Sequence, residues 1–355
     1  MIYGANGYTG ELLAEEAIKR GHRPVLAGRS EHKLKPLAQR LGLPWAAFDL
    51  NDAAAVRRGL EGMRLVLHAA GPFVDTSAAM IRGCLGVGAH YLDITGEIPV
   101  FEHTLAQDAE AKARGVLLMS GVGFDVVPTD CLAAHVVGRV EGASKLEIAI
   151  AAIGRPSPGT TKSSFEGMLR GGLLRRNGAL VAHPMGKGVR KVRFSDRERS
   201  VMPIPWGDLV TAYRTTGVPD ITTYMAFPAN MAKLMSSTWW LQDLASPLTR
   251  SVLGAEPVKQ RVMQAIEQKV QGPNQQARER GRSYVWARAE NPRGQVAEAW
   301  LETLEGYDFT AVAGVRIAEK VLDLKLSGAF TPALAFGADF VLEIPSTRRL
   351  DRLPG

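Results

Sequence analysis

Short apolar runs and segments of helical period alternate along the first part of the chain. Leu13, Ala14, Ala17 and Ile18 recur at helical spacing, Lys19 and Arg20 fall in the last turn, and Gly21 stops the helix. PVLAG (24–28) then reads as a buried strand, and Ser30 can cap a helix carrying Leu34, Leu37, Ala38 and Leu41 that ends at Gly42. WAAFD (45–49), LVLHAA (65–70), HYLDI (90–94) and VLLMS (116–120) follow as strands. Helices through Val56 and Leu60, through Ile81, Cys84 and Leu85, and across Leu105, Ala109 and Ala113 separate them. Short apolar strands alternating with amphipathic helices predict a parallel sheet covered on both faces. The fold class is α/β, a Rossmann-type doubly wound sheet, which binds its ligand outside the carboxyl ends of the strands.

Beyond residue 143 the pattern changes. KLEIAIAAI (145–153) reads as a strand entering a new sheet, and TTKSSFEGMLRGGLLRR (160–176) as a helix weakened by its double glycine. KVRFS, TAYRTTGVPDITTYMAF, SYVWARA and QVAEAWLET alternate as strands do, with NPRG (291–294) as a hairpin turn between the last two. TAVAGVRIAEKVL (310–322) returns to helical period, and FTPALAFGADFVLEI (330–344) starts with Thr331 as cap and Pro332 at the first helical position. The expected organisation is a Rossmann domain at 1–142 and an inserted α+β domain rich in antiparallel strands at 143–305. Residues 306–355 are expected to be helices packing back on the first domain.

The chain has 355 residues, more than one average domain, which agrees with that division. Cys84 and Cys131 both lie in helix-like apolar patterns, which suits buried thiols in a reducing compartment better than a disulfide. A glycine loop stands where an export signal would need its apolar core, and no run is long enough to span a membrane, so a cytoplasmic location is expected. The seven histidines show no metal-ligand spacing, so no metal is expected. Residues 160–200 hold ten Lys/Arg against three acids, a formal +7 that equals the net charge of the whole chain. With only Phe165 and Phe194 as aromatics there, the stretch does not look like a nucleic-acid surface. It suits the phosphate of a pantetheine arm or an acidic carrier protein.

YGANGYTG (3–10) places Gly4, Gly7 and Gly10 between a strand and an amphipathic helix. In that context Gly4 turns the chain off the strand, Gly7 lets the backbone approach a pyrophosphate, and Gly10 lets helix and strand pack closely. Gly4, Ala5, Asn6, Gly7, Tyr8, Thr9 and Gly10 are thus the candidate phosphate cradle, at a helix N-terminus. Only Met1, Ile2 and Tyr3 precede the loop, fewer than a full strand, as an upstream start that was missed or trimmed would leave. The second strand ends in AGRS without the acid that would hold the ribose hydroxyls of NAD. Arg29 and Ser30 there suit the 2′-phosphate of NADP. Asp49 is placed against the adenine edge or as a helix cap, and Ala70, Gly71, Pro72 and Phe73 line the nicotinamide half or form a turn.

YGANGYTG, AGRS, HAAGPF, YLDITGE and GVGFDVVPTD together resemble the saccharopine dehydrogenase-like oxidoreductases, in the branch of the trans-acting enoyl reductases. The similarity continues through YRTTGVPDITTYMAF to GAFTPALAFGADFV. It implies an NADP-dependent oxidoreductase, with Gly4–Gly10, Arg29 and Ser30 on the family's NADP loop and phosphate end. A homodimer is expected.

The proton donor is less legible. No Tyr-x-x-x-Lys is present, and Cys131 lies in an apolar helix pattern. Asp93, Thr95, Glu97 and Asp125 lie at strand ends, where each can orient substrate, relay a proton or cap a helix. Backbone N–H groups at Gly121–Phe124 are candidate donors to an enolate oxygen. Tyr224 and Arg214 are read as strand residues of the second domain. The catalytic candidates are Asp125, Glu97 and Tyr224. Residues 231–254 are apolar enough to contact a membrane peripherally or cover an acyl tunnel, although buried helix packing is the simpler expectation. The function expected is reduction of an enoyl or other unsaturated acyl group, carried as a small molecule or on a carrier. The alternatives are a saccharopine reductase-type enzyme acting on an amino-acid imine, and a non-enzymatic dinucleotide-binding scaffold at a membrane or lipid.

Overall fold

The computed structural model describes residues 1–152 and 154–353, and the side chains of Ala152 and of 241–253 also lie outside the description. The chain begins with β1 (Ile2–Tyr3), α1 (Tyr8–Lys19), β2 (Leu26–Gly28), α2 (Glu31–Leu41), β3 (Trp45–Ala47) and α3 (Ala53–Leu60). It continues through β4 (Leu65–His68), α4 (Phe73–Val87), β5 (His90–Asp93), α5 (Ile98–Ala106), α6 (Asp108–Ala113) and β6 (Leu117–Met119). Asp52 caps α3 by accepting from the N–H groups of Ala54 and Ala55 at 2.9 and 3.0 Å. The helix expected across Leu105, Ala109 and Ala113 is two helices, α5 and α6.

Next come α7 (Val127–Val137), β7 (Lys145–Ala152), α8 (Pro158–Arg170), β8 (Gly172–Arg176), β9 (Ala179–His183), β10 (Arg190–Arg193) and β11 (Glu198–Pro203). Then follow α9 (Asp208–Thr216), β12 (Asp220–Ala226), α10 (Ala229–Gly254), α11 (Glu256–Lys269), α12 (Gln275–Arg280), β13 (Arg282–Glu290) and β14 (Val296–Leu304). The chain closes with α13 (Gly306–Asp323), β15 (Gly328–Ala329), α14 (Pro332–Phe336) and β16 (Arg348–Leu350).

Two compact units result: 1–127 with 306–335, and 128–305 with 336–355. In the first, a fully parallel sheet runs β15-β6-β5-β4-β1-β2-β3. The strand order reverses at β1, which lies between β2 and β4 and so forms the switch point where such sheets bind nucleotides. All four residues of β4 are buried, as a strand covered on both faces requires. α13 returns to this unit and packs along α1, where the Arg20 guanidinium donates to both Glu319 oxygens at 2.8 and 2.6 Å and His22 joins them at 2.7 Å.

In the second unit a mixed sheet runs β10-β11-β12-β7-β13-β14-β16, with β8 branching from β12 and pairing with β9. β7 and β12 are parallel, and β7–β13 and β13–β14 are antiparallel. The chain contacts divide the molecule earlier than the sequence division at 142, because α7 finds its polar partners in the second unit. Asp130 accepts from Thr215 at 2.6 Å, and His135 and Arg139 both reach Asp351.

Three expectations need correction. Residues 208–216 form α9, so Arg214 is helical and not on a strand. The stretch 160–176 is helix only to Arg170 and becomes β8 after Gly171. The tail does not all return to the first unit, because β16 pairs with β14 through main-chain bonds.

Candidate functional site

The loops that leave the carboxyl ends of β1, β2, β4, β5 and β6 carry the candidate residues of the first unit. Gly4 has φ +85°, and a Cβ on it would lie 2.7 Å from the Ala69 carbonyl carbon. A Cβ on Gly10 would lie 2.2 Å from the Gly4 oxygen, so any side chain there collides with backbone. α1 starts from Gly7, which has no side chain to cap it. The helix N-terminus adjoins a backbone cradle, which fits a pyrophosphate. Arg29 is exposed at the end of β2 with Ser30 half-buried beside it, and no acid lies between Val25 and Ser30. Both fit an NADP-type 2′-phosphate better than bare ribose hydroxyls. Asp49 is exposed and forms a turn, its Oδ1 accepting from the N–H and side-chain amide of Asn51 at 2.9 and 3.0 Å. Asp52, rather than Asp49, is the cap of the next helix.

On the other side of the switch point, the loop Ala70–Phe73 leads into α4. Phe73 is buried with its ring edge-on to His68, and Ala70 accepts from the Thr76 hydroxyl at 2.7 Å. The three carboxyls placed here by the sequence prove to be in different circumstances. Asp93 is fully buried and accepts four hydrogen bonds. The hydroxyls of Tyr91 and Ser120 reach Oδ2 at 2.8 and 2.7 Å, and the N–H groups of Thr95 and Gly121 each reach Oδ1 at 3.0 Å. Burial still raises its pKa to about 6 against those donors. Tyr91 extends the chain to buried His68, whose Nδ1 lies 3.2 Å from the phenol oxygen. Burial lowers the His68 pKa to about 3, so the ring is neutral.

Glu97 is a helix cap. Its two oxygens accept from the N–H groups of Phe73 and Val74, both at 3.0 Å, at the first turn of α4. Asp125 differs from both. It is only part-buried by exposure, and no hydrogen-bond donor reaches its carboxyl among the described residues. Desolvation alone raises its pKa to about 7. Of the N–H groups at 121–124, three are already committed: Gly121 to Asp93 Oδ1, Val122 to the Asp93 carbonyl, and Phe124 to the Thr310 hydroxyl. Three of the four expected enolate donors are therefore not open.

In the second unit, Tyr224 is buried and donates to Glu147 Oε1 at 3.1 Å, with the Arg190 guanidinium bound to the same oxygen at 2.6 Å. Burial and then the Glu147 charge push its pKa up to about 12, which makes it a poor acid near neutrality. The basic stretch 160–200 is largely engaged. Buried Arg175 donates to the carbonyls of Leu209 and Gly178 and stacks on Tyr213, Arg176 reaches Ile221 and Thr222, and Arg199 pairs with Asp196. On α10, Leu234 and Trp240 are exposed, while the part of the expected lipid or tunnel cover at 241–253 lies outside the described side chains. Among the described residues no group of His, Cys, Asp and Glu could hold a metal ion, and no helix is long and apolar enough to cross a membrane.

His68, Tyr91 and Ser120 were not singled out from the sequence. The available signal for His68 and Ser120 was a polar residue at the carboxyl end of an otherwise apolar run, in LVLH and LLMS.

Residues 1–119 match the family model described as the saccharopine dehydrogenase NADP binding domain. The match falls within the amino-terminal unit and covers about a third of the chain. A trans-acting enoyl reductase of Mycobacterium tuberculosis (strain H37Rv) is 31% identical over 138 residues, covering 37% of this chain and 33% of that protein. A probable mitochondrial saccharopine dehydrogenase-like oxidoreductase of Arabidopsis thaliana is 30% identical over 152 residues, covering 37% of this chain and 32% of that protein. The chain thus spans about a third of the length of the curated relatives it matches. The fold is similar throughout to apo saccharopine dehydrogenase (L-Glu forming) of Saccharomyces cerevisiae, with TM-score 0.63 over 98% of this chain and 99% of that one at 12% identity. The fold is thus of the saccharopine dehydrogenase type, and its first 119 residues match an NADP-binding domain.

Proposed function

We propose that this protein is an NADPH-dependent reductase of an enoyl or other unsaturated acyl group, with Asp125 as proton donor. The observation that carries the proposal is the Asp125 carboxyl, unbonded among the described residues and held at about 7 in the loop after β6. Reduction of an enoyl thioester requires a hydride at the β-carbon and a proton at the α-carbon. NADPH, when bound, supplies the hydride. A carboxyl half-protonated near neutrality is suited to deliver the proton and then to be refilled from solvent. Protonated, it can also donate a hydrogen bond to the substrate carbonyl, a role the committed N–H groups of Gly121, Val122 and Phe124 cannot fill. The glycine loop and the N-terminus of α1 hold the pyrophosphate, and Arg29 holds the 2′-phosphate. Glu97 and Asp93, both hydrogen-bonded to neighbouring loops, shape the surroundings of the reacting end. The relatives named trans-acting enoyl reductase, similar over the amino-terminal part, support the acyl assignment.

The test is NADPH oxidation by the purified protein with trans-2-butenoyl-pantetheine, and separately with a 2-oxo acid and an amino acid that form an imine. Oxidation with the thioester is expected. Oxidation with the imine mixture alone would replace the acyl substrate with an amino-acid adduct. Tight NADPH binding without oxidation by either would leave a dinucleotide-binding scaffold.

A further inference from the structure

The first turn of α13 touches two of the loops at the carboxyl edge of the first sheet. Tyr307 stands edge-on to Tyr8, the first residue of α1, with ring centroids 5.0 Å apart. That contact sets the turn beside the glycine loop. Thr310, on the same turn, is buried and reaches the loop after β6. Its hydroxyl accepts from the Phe124 N–H at 2.9 Å and donates to the Gly306 carbonyl at 2.7 Å. Its methyl lies against Gly123, where a Cβ would come to 2.7 Å from it. The Phe124 ring stands edge-on to Phe309, with centroids 5.9 Å apart.

The loop 121–125 is thus held from two directions. On one side the N–H groups of Gly121 and Val122 bond Asp93 of β5. On the other, the bond from Phe124 to Thr310 joins residues 186 apart in the chain, and Phe124 is the residue before Asp125. A carboxyl that accepts hydrogen bonds is placed by its donors. No donor reaches Asp125 among the described residues, so its place is set by the backbone that carries it and by the space at Gly96. The titratable side chains of the segments around this loop are Asp93 and Glu97 on the β5 side, and Tyr307 and Asp308 on α13. None of them contributes to the raised Asp125 pKa, which burial alone produces.

We infer that Thr310 is a positioning residue for the proposed proton transfer, its hydroxyl pinning the Phe124 N–H and so fixing the depth of the Asp125 carboxyl. The inference rests on the reductase reading, with Asp125 as donor, and adds the group that keeps the donor in place. Without the Thr310 oxygen, the buried Phe124 N–H has lost its partner, and the loop turns toward water to satisfy it. Asp125 moves with it. Exposure returns a carboxyl toward its ordinary value, so the donor is then lost at a lower pH. A displacement of about 1 Å at the reacting atoms costs up to about a hundredfold in rate.

The experiment follows NADPH oxidation with trans-2-butenoyl-pantetheine against pH in wild type and three variants. Thr310→Val keeps the bulk without the acceptor, whereas Thr310→Ser and Thr310→Ala differ from each other only by the hydroxyl. In the valine and alanine variants kcat at pH 6 is expected to fall at least about tenfold, with NADPH binding by fluorescence within about threefold of wild type. Their alkaline limb is expected to move down by at least about half a pH unit. Thr310→Ser is expected to keep the limb in its wild-type position and kcat within about threefold. Alanine cannot crowd the loop, so it decides the matter even where the valine variant fails to fold. An alanine variant with unchanged kcat and limb would overturn the inference. So would a fall in kcat without movement of the limb, which a looser fold alone produces. A serine variant shifted as far as the alanine one would also overturn it, because the methyl and not the hydroxyl would then decide. The reductase reading fails separately. If NADPH is not oxidised, or if Asp125→Asn keeps the wild-type limb, Asp125 is not the donor and the inference goes with it.

Discussion

A side chain on Gly96 would start 2.9 Å from Asp125 Oδ2. The loops after β5 and β6 therefore meet at a glycine and a carboxyl, and the carboxyl keeps its space because the glycine has no Cβ. Burial without a donor raises the Asp125 pKa from 3.8 to about 7. If Asp125 donates the proton, kcat/KM falls above about pH 7, tenfold per pH unit, as the donor is lost. Asp125→Asn should remove that limb and lower kcat by about a hundredfold or more while leaving NADPH binding intact. A pH–rate profile that keeps the limb in the variant would take Asp125 out of the mechanism. Stability moves in the matching direction. A carboxyl whose folded pKa is raised stabilises the fold below its unfolded value and loses that contribution as pH rises through about 7. At pH 8 the Asn variant should therefore be more stable than wild type, by about 2 kcal/mol. That is roughly half of what the full shift corresponds to, because the group is only part-buried. Denaturant melts at pH 3, 5 and 8 would show whether the difference is absent below 3.8 and grows as pH rises toward about 7.

Gly10 packs on the Gly4 carbonyl so closely that a methyl group would sit 2.2 Å from its oxygen. Gly10→Ala must push α1 away from the loop. The expected result is loss of NADPH and NADH binding alike, by at least about tenfold, with a stability cost of about 1–3 kcal/mol from the displaced backbone. Fluorescence titration of both cofactors checks it, and unchanged binding would remove the loop from the pyrophosphate site.

Arg29, exposed after β2 with no neighbouring acid on that strand end, sets cofactor choice in the proposed function. A charge-assisted Arg–phosphate contact contributes about 1.5–3 kcal/mol, or roughly ten- to hundredfold in affinity for NADPH over NADH. Arg29→Asp should abolish that preference. Equal affinity of wild type for the two cofactors would show that Arg29 does not meet a phosphate.

Glu319 joins α13 to α1 through Arg20 and His22. The Arg20 and Glu319 side chains are about a quarter exposed, so Glu319→Ala should cost only about 1 kcal/mol in a urea melt. The Arg20 contact lowers the Glu319 pKa, with His22 adding to the effect. A carboxylate held low stabilises above its unfolded value, so the difference between wild type and variant should shrink as pH falls below that value.

Arg175 and Arg193 come from the same basic stretch but are expected to behave oppositely. Arg175 is 6% exposed and bonded to two carbonyls, so Arg175→Met should destabilise by about 2–3 kcal/mol. Arg193 is exposed, and Arg193→Gln should change stability by less than about 0.5 kcal/mol. Thermal melts of the two variants decide it.

The sequence by itself determined the first unit almost completely. Alternating apolar strands and amphipathic helices specify a parallel sheet, because only burial on both faces accommodates strands like LVLH. The glycine loop was legible for a related reason: positive φ at Gly4 and backbone contact at Gly10 are demands that one residue type meets. The second unit was less legible. TAYRTT reads as a strand from its Thr and Tyr content, but α9 buries Leu209, Val210, Thr211 and Ala212 together, and that packing outweighs a weak local preference. Tertiary structure alone decided which acid does what. Asp93, Glu97 and Asp125 look alike in sequence, each an acid at or just after a strand end. Asp93 is satisfied by Tyr91, Thr95, Ser120 and Gly121, and Glu97 by the N-terminus of α4, while no donor among the described residues reaches Asp125. Those partners come mostly from twenty or more residues away in the chain. The protonation of a carboxyl depends on the groups around it, so its chemistry is fixed only when the strands are brought side by side.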